Sequence, residues 1–407
     1  MISIQEFLKN AQVGQYKAIA IYGFGDTEQE ILEELKKYHI KRICLTDRIE
    51  SGRIGKVSGG FLIQKLDDIV NDIDAVIIAS RNFHMTIEVR LMREIKDKNI
   101  KILNPFRMIS RYPTDQLIIN NYVQDCTGYQ NEEEIANWRQ KNIMLSKERI
   151  NAFVTEAMQE TPLFNRVEIE TYNKCNGICS FCPVNKYNDT RKPVLMEEYI
   201  FKKIINDLEE LKYSDRIALY SNNEPLLDLR IFDFSRYMRE HLPKARIHMF
   251  TNGTLFTMDK FLRLIPFLDE LIIDNYTEDL SLIKPVQEIK DFCEKNPKYI
   301  KKVSIVLRKP HEFLSTRGGD APNRKIKKKS IECSCTLPFQ QLVIRPTGEV
   351  SLCCNDPLGK CTMGNLREES ILEVWHGEKY SHLRKKLACG REYVKHCQYC
   401  DFCTIFE

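Results

Sequence analysis

The chain has 407 residues, of which 43% are apolar and 29% are charged, and its formal net charge is +4. This length predicts two or three domains, and this composition is typical of a folded globular protein and excludes a mainly disordered one. No apolar run approaches the roughly 20 residues needed to span a bilayer, and the first residues, MISIQEFLKNAQ, lack the features of a signal peptide. We therefore expect a cytoplasmic protein with neither a membrane nor a nucleic acid partner, and the basic runs at 324–329 and 383–387 are interpreted as solvated surface.

Residues 1–124 alternate short apolar runs with amphipathic helical patterns, which predicts a small Rossmann-like parallel sheet with helices on its faces. Gly23 and Gly25 lie at the first turn, as at the start of a dinucleotide fingerprint, whereas Glu28 stands where its third glycine would be. Asp47 closes the second predicted strand, about where a ribose-binding acid would lie. The pattern leaves two roles open, a bound nucleotide or nucleotide-sugar and a docking or structural domain. The predicted strands are KAIAIYGFG (17–25), KRICLTD (41–47), DAVIIAS (74–80) and IKILN (100–104).

Residues 125–160 are polar with a helical pattern, and we interpret them as a linker of one or two helices. Strands and helices alternate again over 161–330, which predicts a larger α/β unit, a partial (β/α)6 barrel whose functional loops follow the carboxyl ends of its strands. The predicted barrel strands are RVEIET (166–171), RIALYS (216–221), RIHMFTNG (246–253), ELIIDN (270–275) and KVSIVLR (302–308).

Three cysteines, Cys175, Cys179 and Cys182, follow the first barrel strand with the spacing C-x3-C-x2-C. In a cytoplasmic protein such a group indicates metal binding more than disulfides. A structural zinc site usually has four ligands, and no fourth cysteine or histidine is close in sequence. Three thiolates can instead hold three irons of a 4Fe-4S cluster and leave the fourth iron free for a small molecule.

This spacing on the first strand of an α/β barrel resembles the radical SAM superfamily. The resemblance implies that the open iron binds the amino and carboxylate groups of S-adenosylmethionine. It also implies that an electron from the cluster cleaves that cofactor to a 5′-deoxyadenosyl radical, which abstracts hydrogen from substrate. Phe181, before the last cysteine, matches the family aromatic near the adenine. A flavodoxin or ferredoxin as electron donor is implied in the same way.

Further family motifs follow in order along the chain. The stretch YSNNEP resembles the family's GGEP segment, with Asn222, Asn223 and Glu224 at its polar positions. A carboxylate there can accept hydrogen bonds from the methionyl ammonium. FTNGT resembles the TNG found after the third strand, so Asn252 is a cofactor-binding candidate. The resemblance also suggests Asp274 and Asn275 as ribose contacts and Arg308 as a partner for the methionyl carboxylate. The alternatives are turn positions for Asn252 and Gly253, helix capping for Asp274 and a surface cation for Arg308.

Residues 331–407 contain nine of the fifteen cysteines and resemble the auxiliary-cluster domains called SPASM, or the shorter twitch form, with a β-hairpin and a helix. The twitch pattern implies one auxiliary 4Fe-4S cluster with four thiolate ligands, Cys335, Cys353, Cys397 and Cys400. A second auxiliary cluster and a zinc ribbon are the alternatives, and Cys403 is an alternative to Cys397. The other spare thiols are Cys333, Cys354, Cys361 and Cys389.

A cluster with four thiolate ligands suits electron transfer, and in this superfamily the twitch form is similar to that of aminocyclitol alcohol dehydrogenases. The leading hypothesis is therefore oxidation of a secondary alcohol on a sugar, aminocyclitol or nucleotide-linked sugar. The alternatives are a peptide maturase that forms thioethers or epimers, a radical sugar epimerase in which Cys354 or Cys361 returns a hydrogen atom, and a non-catalytic iron–sulfur or zinc protein. No general base is predicted, because Tyr220 and Arg308 are candidates by position alone.

Overall fold

The structure is a computed structural model that describes residues 3–23, 26–80, 83–96, 98–108, 117–120, 131–325, 328–329 and 331–402. The chain divides into two compact units, Met1–Pro113 and Thr114–Phe406. None of the helices in the described ranges combines the length and the apolar character that a membrane crossing requires. The domain boundaries at 124, 160 and 330 stay predictions.

The first unit contains a mainly parallel sheet with helices between its strands. Its strands are β1 Ala18–Tyr22, β2 Arg42–Thr46, β3 Val57–Ser58, β4 Phe61–Gln64, β5 Ala75–Ile78 and β6 Lys101–Leu103. The sheet order is β3-β4-β2-β1-β5-β6, and β1 pairs in parallel with both β2 and β5. Its helices are α1 Ile4–Asn10, α2 Asp26–Leu35, α3 Leu66–Ile69 and α4 His84–Glu94.

The central strand of this sheet is buried along its whole length. All five residues of β1 are buried. A parallel strand is usually covered on both faces, and this explains why its sequence is a continuous apolar run. The four predicted strands are present, but the hairpin of β3 and β4 was not predicted. A strand of two residues carries no periodic pattern, although the Gly59–Gly60 turn, with φ angles of 52° and 86°, is a hairpin signal in the sequence.

The second unit is built on one long sheet that is parallel over most of its width. Its strands are β7 Ile118–Asn120, β8 Arg166–Ile169, β9 Arg216–Ala218, β10 Arg246–Thr251, β11 Glu270–Tyr276, β12 Val303–Arg308, β13 Gln341–Ile344, β14 Glu349–Ser351 and β15 Thr362–Asn365. The order is β15-β14-β13-β8-β9-β10-β11-β12-β7, with every pairing from β13 to β7 parallel. β7 was not predicted as a strand.

Helices alternate with the barrel strands in this unit. The helices are α5 Glu132–Gln159, α6 Glu198–Glu210, α7 Ile231–His241, α8 Met258–Leu264, α9 Lys284–Lys295, α10 Leu337–Gln340, α11 Ile371–His376 and α12 Glu378–Cys389. α5 lies in the segment predicted as a helical linker and begins at Asn131, whose side chain accepts a hydrogen bond from Glu134 N. The alternation of α6 to α9 with β8 to β12 confirms the predicted α/β class.

The cysteine-rich segment continues the barrel sheet. β13 pairs in parallel with β8, from Gln341 opposite Arg166 to Ile344 opposite Ile169. Trp375 is fully buried, donates from its indole nitrogen to Pro162 O at 3.0 Å, and packs edge-on against Phe164. These contacts fix the C-terminal segment beside the strand that leads into the cysteine triplet, a placement that no local pattern could predict.

Candidate functional site

A cavity of about 290 Å³ lies in the second unit at the carboxyl ends of β8 to β11. This is the edge of the sheet at which the barrel pattern predicted functional loops. All three cysteines of the predicted triplet line it, together with most of the predicted cofactor-binding residues. The lining residues are Cys175, Gly177, Cys179, Phe181, Cys182, Val184, Tyr220, Ser221, Asn222, Asn223, Glu224, Phe250, Thr251, Asn252, Asp274, Tyr276, Leu314, Ser315 and Arg317.

The cysteine side chains of the loop after β8 border one space in the cavity. A Cβ placed on Gly177 would lie 3.3 Å from Cys175 Sγ and 3.9 Å from Cys179 Sγ, so both sulfurs border the place where this glycine has no side chain. The backbone N–H of Gly177 donates to Cys175 Sγ at 3.3 Å. Cys182 lines the same cavity. A glycine here therefore leaves room for a group that the thiols could hold together.

Burial and mutual repulsion disfavour the thiolate forms at this loop. Burial raises the pKa of Cys175 to about 12, and the nearby charges of Glu224 and Cys182 also raise it, against a hydrogen bond from Gly177. Burial, followed by Cys182 and Cys175, raises the pKa of Cys179. Three thiols that repel one another as anions are stabilised as thiolates only by a bound cation, because metal ligation deprotonates cysteine. The donor set therefore fits an iron cluster.

The carboxylate of Glu224 holds the loop that follows β10. Its Oε1 accepts hydrogen bonds from Thr251 Oγ1 at 2.7 Å and Leu226 N at 3.1 Å, and its Oε2 accepts one from Asn252 N at 2.8 Å. Burial raises the pKa of Glu224, and the three donors oppose that rise. Since a carboxylate has about four acceptor positions, Glu224 can fix this loop and still accept from a ligand ammonium.

Two asparagine side chains add polar groups to the cavity wall. Asn252 donates from Nδ2 to Asn176 Oδ1 at 2.9 Å and accepts at Oδ1 from Thr254 N at 3.0 Å. Asn223 accepts at Oδ1 from Ser221 N at 3.0 Å. Its Nδ2 is buried without a hydrogen-bond partner among the described residues. A buried donor left unpaired is costly, so Asn223 fits a site whose ligand supplies an acceptor such as a carboxylate.

Aromatic rings form another part of the wall. The ring of Phe181 lies 6.0 Å from that of Tyr276, centroid to centroid, and both side chains line the cavity with Asp274. Burial raises the pKa of Tyr276, followed by the effect of Asp274. Flat apolar rings beside a carboxylate suit a ligand that has both a base and a sugar.

Arg308 and Asn275, two predicted cofactor contacts, do not line the cavity. Arg308 is not in the cavity wall; its Nη2 donates to Glu312 Oε2 at 2.5 Å, and its Nη1 lies 3.9 Å from Asp274 Oδ1. Asn275 is fully buried and binds the following loop, donating to Ser281 O at 2.8 Å and accepting from Ile283 N at 3.0 Å. Successive strand residues face opposite sides, so Asp274 reaches the cavity and Asn275 does not. We therefore remove Asn275 from the predicted ribose contacts, while contact between Arg308 and a cofactor carboxylate stays a prediction.

The sequence did not indicate the segment 314–317, which closes one side of the cavity. Arg317 has a positive φ of 52° and donates from Nη2 to Asn222 Oδ1. Leu314 and Ser315 line the cavity beside it. The segment follows β12 with no recognisable motif, and only the two glycines after Arg317 signal an irregular turn.

Replacing Gly253 with alanine is expected to lower the free energy of unfolding of the second unit by about 3 kcal/mol. Gly253 has a φ of +74°, and an added Cβ would lie 2.6 Å from Val286 Cγ2 and 2.8 Å from Ile273 Cγ2. Gly319→Ala is the matched control, because its φ is +96° but its new Cβ would come no closer than 3.6 Å to Tyr399. We expect that control to cost about 1 to 2 kcal/mol.

Urea unfolding followed by tryptophan fluorescence measures this difference. The chain has two tryptophans, Trp138 and Trp375, and both belong to the second unit. Equal losses for the two variants would show that Gly253 is required only for its backbone angle and not for close packing.

A second group of thiols lies in the C-terminal segment. Cys335 precedes α10, Cys353 follows β14, and Cys397 and Cys400 follow α12; each of the four is between 7% and 8% exposed. Burial and then the charges of neighbouring cysteines, first Cys354 and then Cys335, Cys397 and Cys400, raise the pKa of Cys353 well above its usual value. The four predicted ligands therefore lie within electrostatic reach of one another, and their chemistry fits a cluster with four thiolates.

The remaining thiols of this segment have different surroundings. Cys333 is 2% exposed and packs with Ile143 and Ile150, like a small apolar residue. Cys389 is exposed on α12, and Cys403 lies outside the described residues. The described cysteines form no disulfide, and no three His, Cys, Asp or Glu side chains among the described residues are placed to hold one metal ion.

Two segments of the chain match known families. Residues 169–303 match the radical SAM superfamily, and residues 333–401 match SPASM, an iron–sulfur cluster-binding domain. The first segment contains the cysteine triplet, Glu224 and Asn252. The second contains the four buried thiols.

Two similar proteins match over more than half of the chain. The S-adenosyl-L-methionine-dependent 2-deoxy-scyllo-inosamine dehydrogenase of Niallia circulans is 28% identical over 229 residues, which are 56% of this chain and 88% of that protein. The crystal structure of BtrN in complex with AdoMet and 2-DOIA matches with a TM-score of 0.52 and 27% identity, over 60% of this chain and 95% of that chain. With the two family matches, these similarities confirm the predicted fold class of the second unit.

Proposed function

Because residues 169–303 match the radical SAM superfamily and residues 333–401 match SPASM, we propose that the chain oxidises a secondary alcohol of an aminocyclitol or a related sugar to a ketone. The observation that carries this proposal is the presence of two different thiol sets in one unit. The triplet at the cavity would leave one iron of a 4Fe-4S cluster without a protein ligand. The quartet in the C-terminal segment would leave none. The first set suits cofactor binding, and the second suits electron transfer.

The residues around the triplet are suited to hold S-adenosylmethionine. Cys175, Cys179 and Cys182 would ligate the cluster, which when bound supplies the electron for reductive cleavage of the cofactor. Glu224 can accept from the methionyl ammonium, and the unpaired Nδ2 of Asn223 can donate to the methionyl carboxylate. The other predicted contacts lie on the same wall. They are Phe181, Asn252 and Asp274.

The C-terminal quartet would hold the electron acceptor. Oxidation of an alcohol to a ketone removes one hydrogen atom, one proton and one electron in this reaction class, and the hydrogen atom leaves as part of 5′-deoxyadenosine. The electron then needs an acceptor inside the protein. Cys335, Cys353, Cys397 and Cys400 are buried together and provide a ligand set that excludes substrate from the irons.

The substrate class is inferred from the similar proteins and from the cavity. One relative is named for oxidation of 2-deoxy-scyllo-inosamine, and the similar structure is named for its complex with 2-DOIA. The side of the cavity formed by Ser221, Asn222, Ser315 and Arg317 is polar, as a polyhydroxylated ring requires. A nucleotide-linked sugar is the second candidate within this class. We further propose a flavodoxin or ferredoxin as electron donor and a cytoplasmic location.

An anaerobic assay with labelled substrate tests the proposal. The reconstituted protein is incubated with S-adenosylmethionine, a reductant and 2-deoxy-scyllo-inosamine that carries deuterium at the carbinol carbon. We expect deuterium in the 5′-deoxyadenosine and about one ketone per 5′-deoxyadenosine. Deuterated nucleotide-sugars and a deuterated, cysteine-containing peptide are tested in parallel as alternative substrates. Deuterium transfer from the peptide alone would contradict the proposal, and so would an absence of 5′-deoxyadenosine when both clusters are intact.

A further inference from the structure

A buried arginine lies among the four thiols of the C-terminal segment. Arg391 is 1% exposed and follows α12 at the start of the turn that leads to Cys397 and Cys400. Its guanidinium donates from Nε to Ser334 O at 3.0 Å and from Nη1 to Cys400 O at 3.2 Å and Phe402 O at 2.5 Å. The side chain thus bridges the backbone beside Cys335 to the backbone of Cys400.

The charge of this guanidinium has no carboxylate partner. All three acceptors are neutral backbone carbonyls, and among the described residues Arg391 forms no ion pair. Its hydrogen bonds place the guanidinium against the backbone next to one proposed ligand, Cys335, and at another, Cys400. A buried charge is costly when only neutral groups surround it, so an anion near Arg391 would stabilise this arrangement. The thiolates of the neighbouring cysteines can supply this negative charge.

We propose that Arg391 is the charge partner of the auxiliary iron–sulfur cluster and raises the reduction potential of that cluster, so that it accepts an electron from substrate. Four thiolates give such a cluster net negative charge, and reduction adds one more. A fixed positive charge in a region of low dielectric constant stabilises the reduced state more than the oxidised one. This inference rests on the proposed electron-accepting role of the cluster.

The same domain offers a matched control. Arg384 is 2% exposed and also donates to backbone carbonyls, those of Pro338 at 2.9 Å and Trp375 at 2.6 Å. Its guanidinium lies over the rings of Trp375 and Tyr380, with centroid distances of 4.2 and 4.5 Å. Burial lowers its pKa to about 10. Arg384 is thus a second buried cation that faces aromatic rings where Arg391 faces thiols.

The test is a redox titration of the full chain with both clusters, followed by electron paramagnetic resonance. The auxiliary signal is the one that addition of S-adenosylmethionine leaves unchanged. At the midpoint potential of the unmodified protein, Arg391→Gln is expected to lower the ratio of reduced to oxidised auxiliary cluster about tenfold, which is 59 mV for one electron. Arg391→Lys and Arg384→Gln are expected to change the ratio by less than about threefold. An unchanged ratio in Arg391→Gln would overturn the inference.

Iron content covers the case in which Arg391→Gln fails to retain its cluster. Arg391→Lys keeps the charge and is then expected to retain about eight irons per chain. Loss of the cluster from both Arg391 variants but not from Arg384→Gln would also overturn the inference, since the charge alone would not account for it. The titration needs no turnover. It therefore separates failure of this inference from failure of the proposed function, which appears as missing ketone in the unmodified protein.

Discussion

Replacing Cys179 with alanine is expected to lower 5′-deoxyadenosine formation by about a thousandfold or more and to reduce the iron content from about eight to about four per chain. Cys179 is 8% exposed, lines the cavity, and has its sulfur within 3.9 Å of the position that a Gly177 side chain would occupy. With one thiolate gone, two iron ligands remain, and the cluster that cleaves the cofactor cannot be held. Iron analysis and chromatography of the anaerobic reaction measure both effects.

Cys293→Ala is the matched control for this variant. Cys293 is a fully buried thiol on α9 of the same unit, and burial raises its pKa to about 11. Its loss is expected to cost about 1 kcal/mol of stability and to leave iron content and cofactor cleavage unchanged. If Cys179→Ala still released 5′-deoxyadenosine at the rate of the control, the triplet would not be the cofactor site.

Much of the fold could be predicted from local sequence patterns. The five predicted barrel strands appear as β8 to β12, since each contains apolar residues and is flanked by helical periodicity. A strand of two residues, such as Val57–Ser58, is too short to carry such a pattern. The pairing of β13 with β8 joins segments far apart in the chain, and periodicity contains no information on such contacts.

The candidate site likewise contains residues that could be predicted from the sequence and residues that could not. Residues within spaced motifs, such as Cys175 and Glu224, could be predicted and line the cavity together. The face on which a strand residue lies depends on where the strand begins, so Asp274 and Asn275 could not be told apart by motif alone. Arg317 and Arg391 begin 3-10 helices of three residues, and no motif marks either of them because their positions depend on tertiary contacts.

The spare thiols separate the dehydrogenase hypothesis from the epimerase alternative. Cys354 follows the proposed ligand Cys353, and its backbone N–H donates to Gln341 Oε1 at 3.1 Å. Its carbonyl accepts from Nδ2 of Asn222, a cavity residue, at 3.2 Å. The backbone of Cys354 thus contacts a residue of the cavity wall, which makes its thiol the candidate hydrogen donor of an epimerase, whereas a dehydrogenase has no use for one.

Replacing Cys397 with alanine is expected to uncouple cofactor cleavage from product formation. This change removes one of four thiolates of the proposed electron acceptor and leaves the cavity residues in place. 5′-Deoxyadenosine should still form, while the ratio of ketone to 5′-deoxyadenosine falls from about one to below about one tenth, because the substrate radical has lost its electron acceptor. Parallel quantification of both products, with iron analysis, measures the effect.

Cys354→Ala is the control that decides between the two hypotheses. A dehydrogenase should keep both its iron and its ketone yield in this variant, since Cys354 is not among the proposed ligands. An epimerase should lose its product in Cys354→Ala and incorporate no hydrogen from solvent. An epimerised alcohol without ketone from both the unmodified protein and the Cys397 variant, together with an inactive variant of Cys354, would reverse the assignment, because the hydrogen atom would then return to the substrate from sulfur and no electron would leave it.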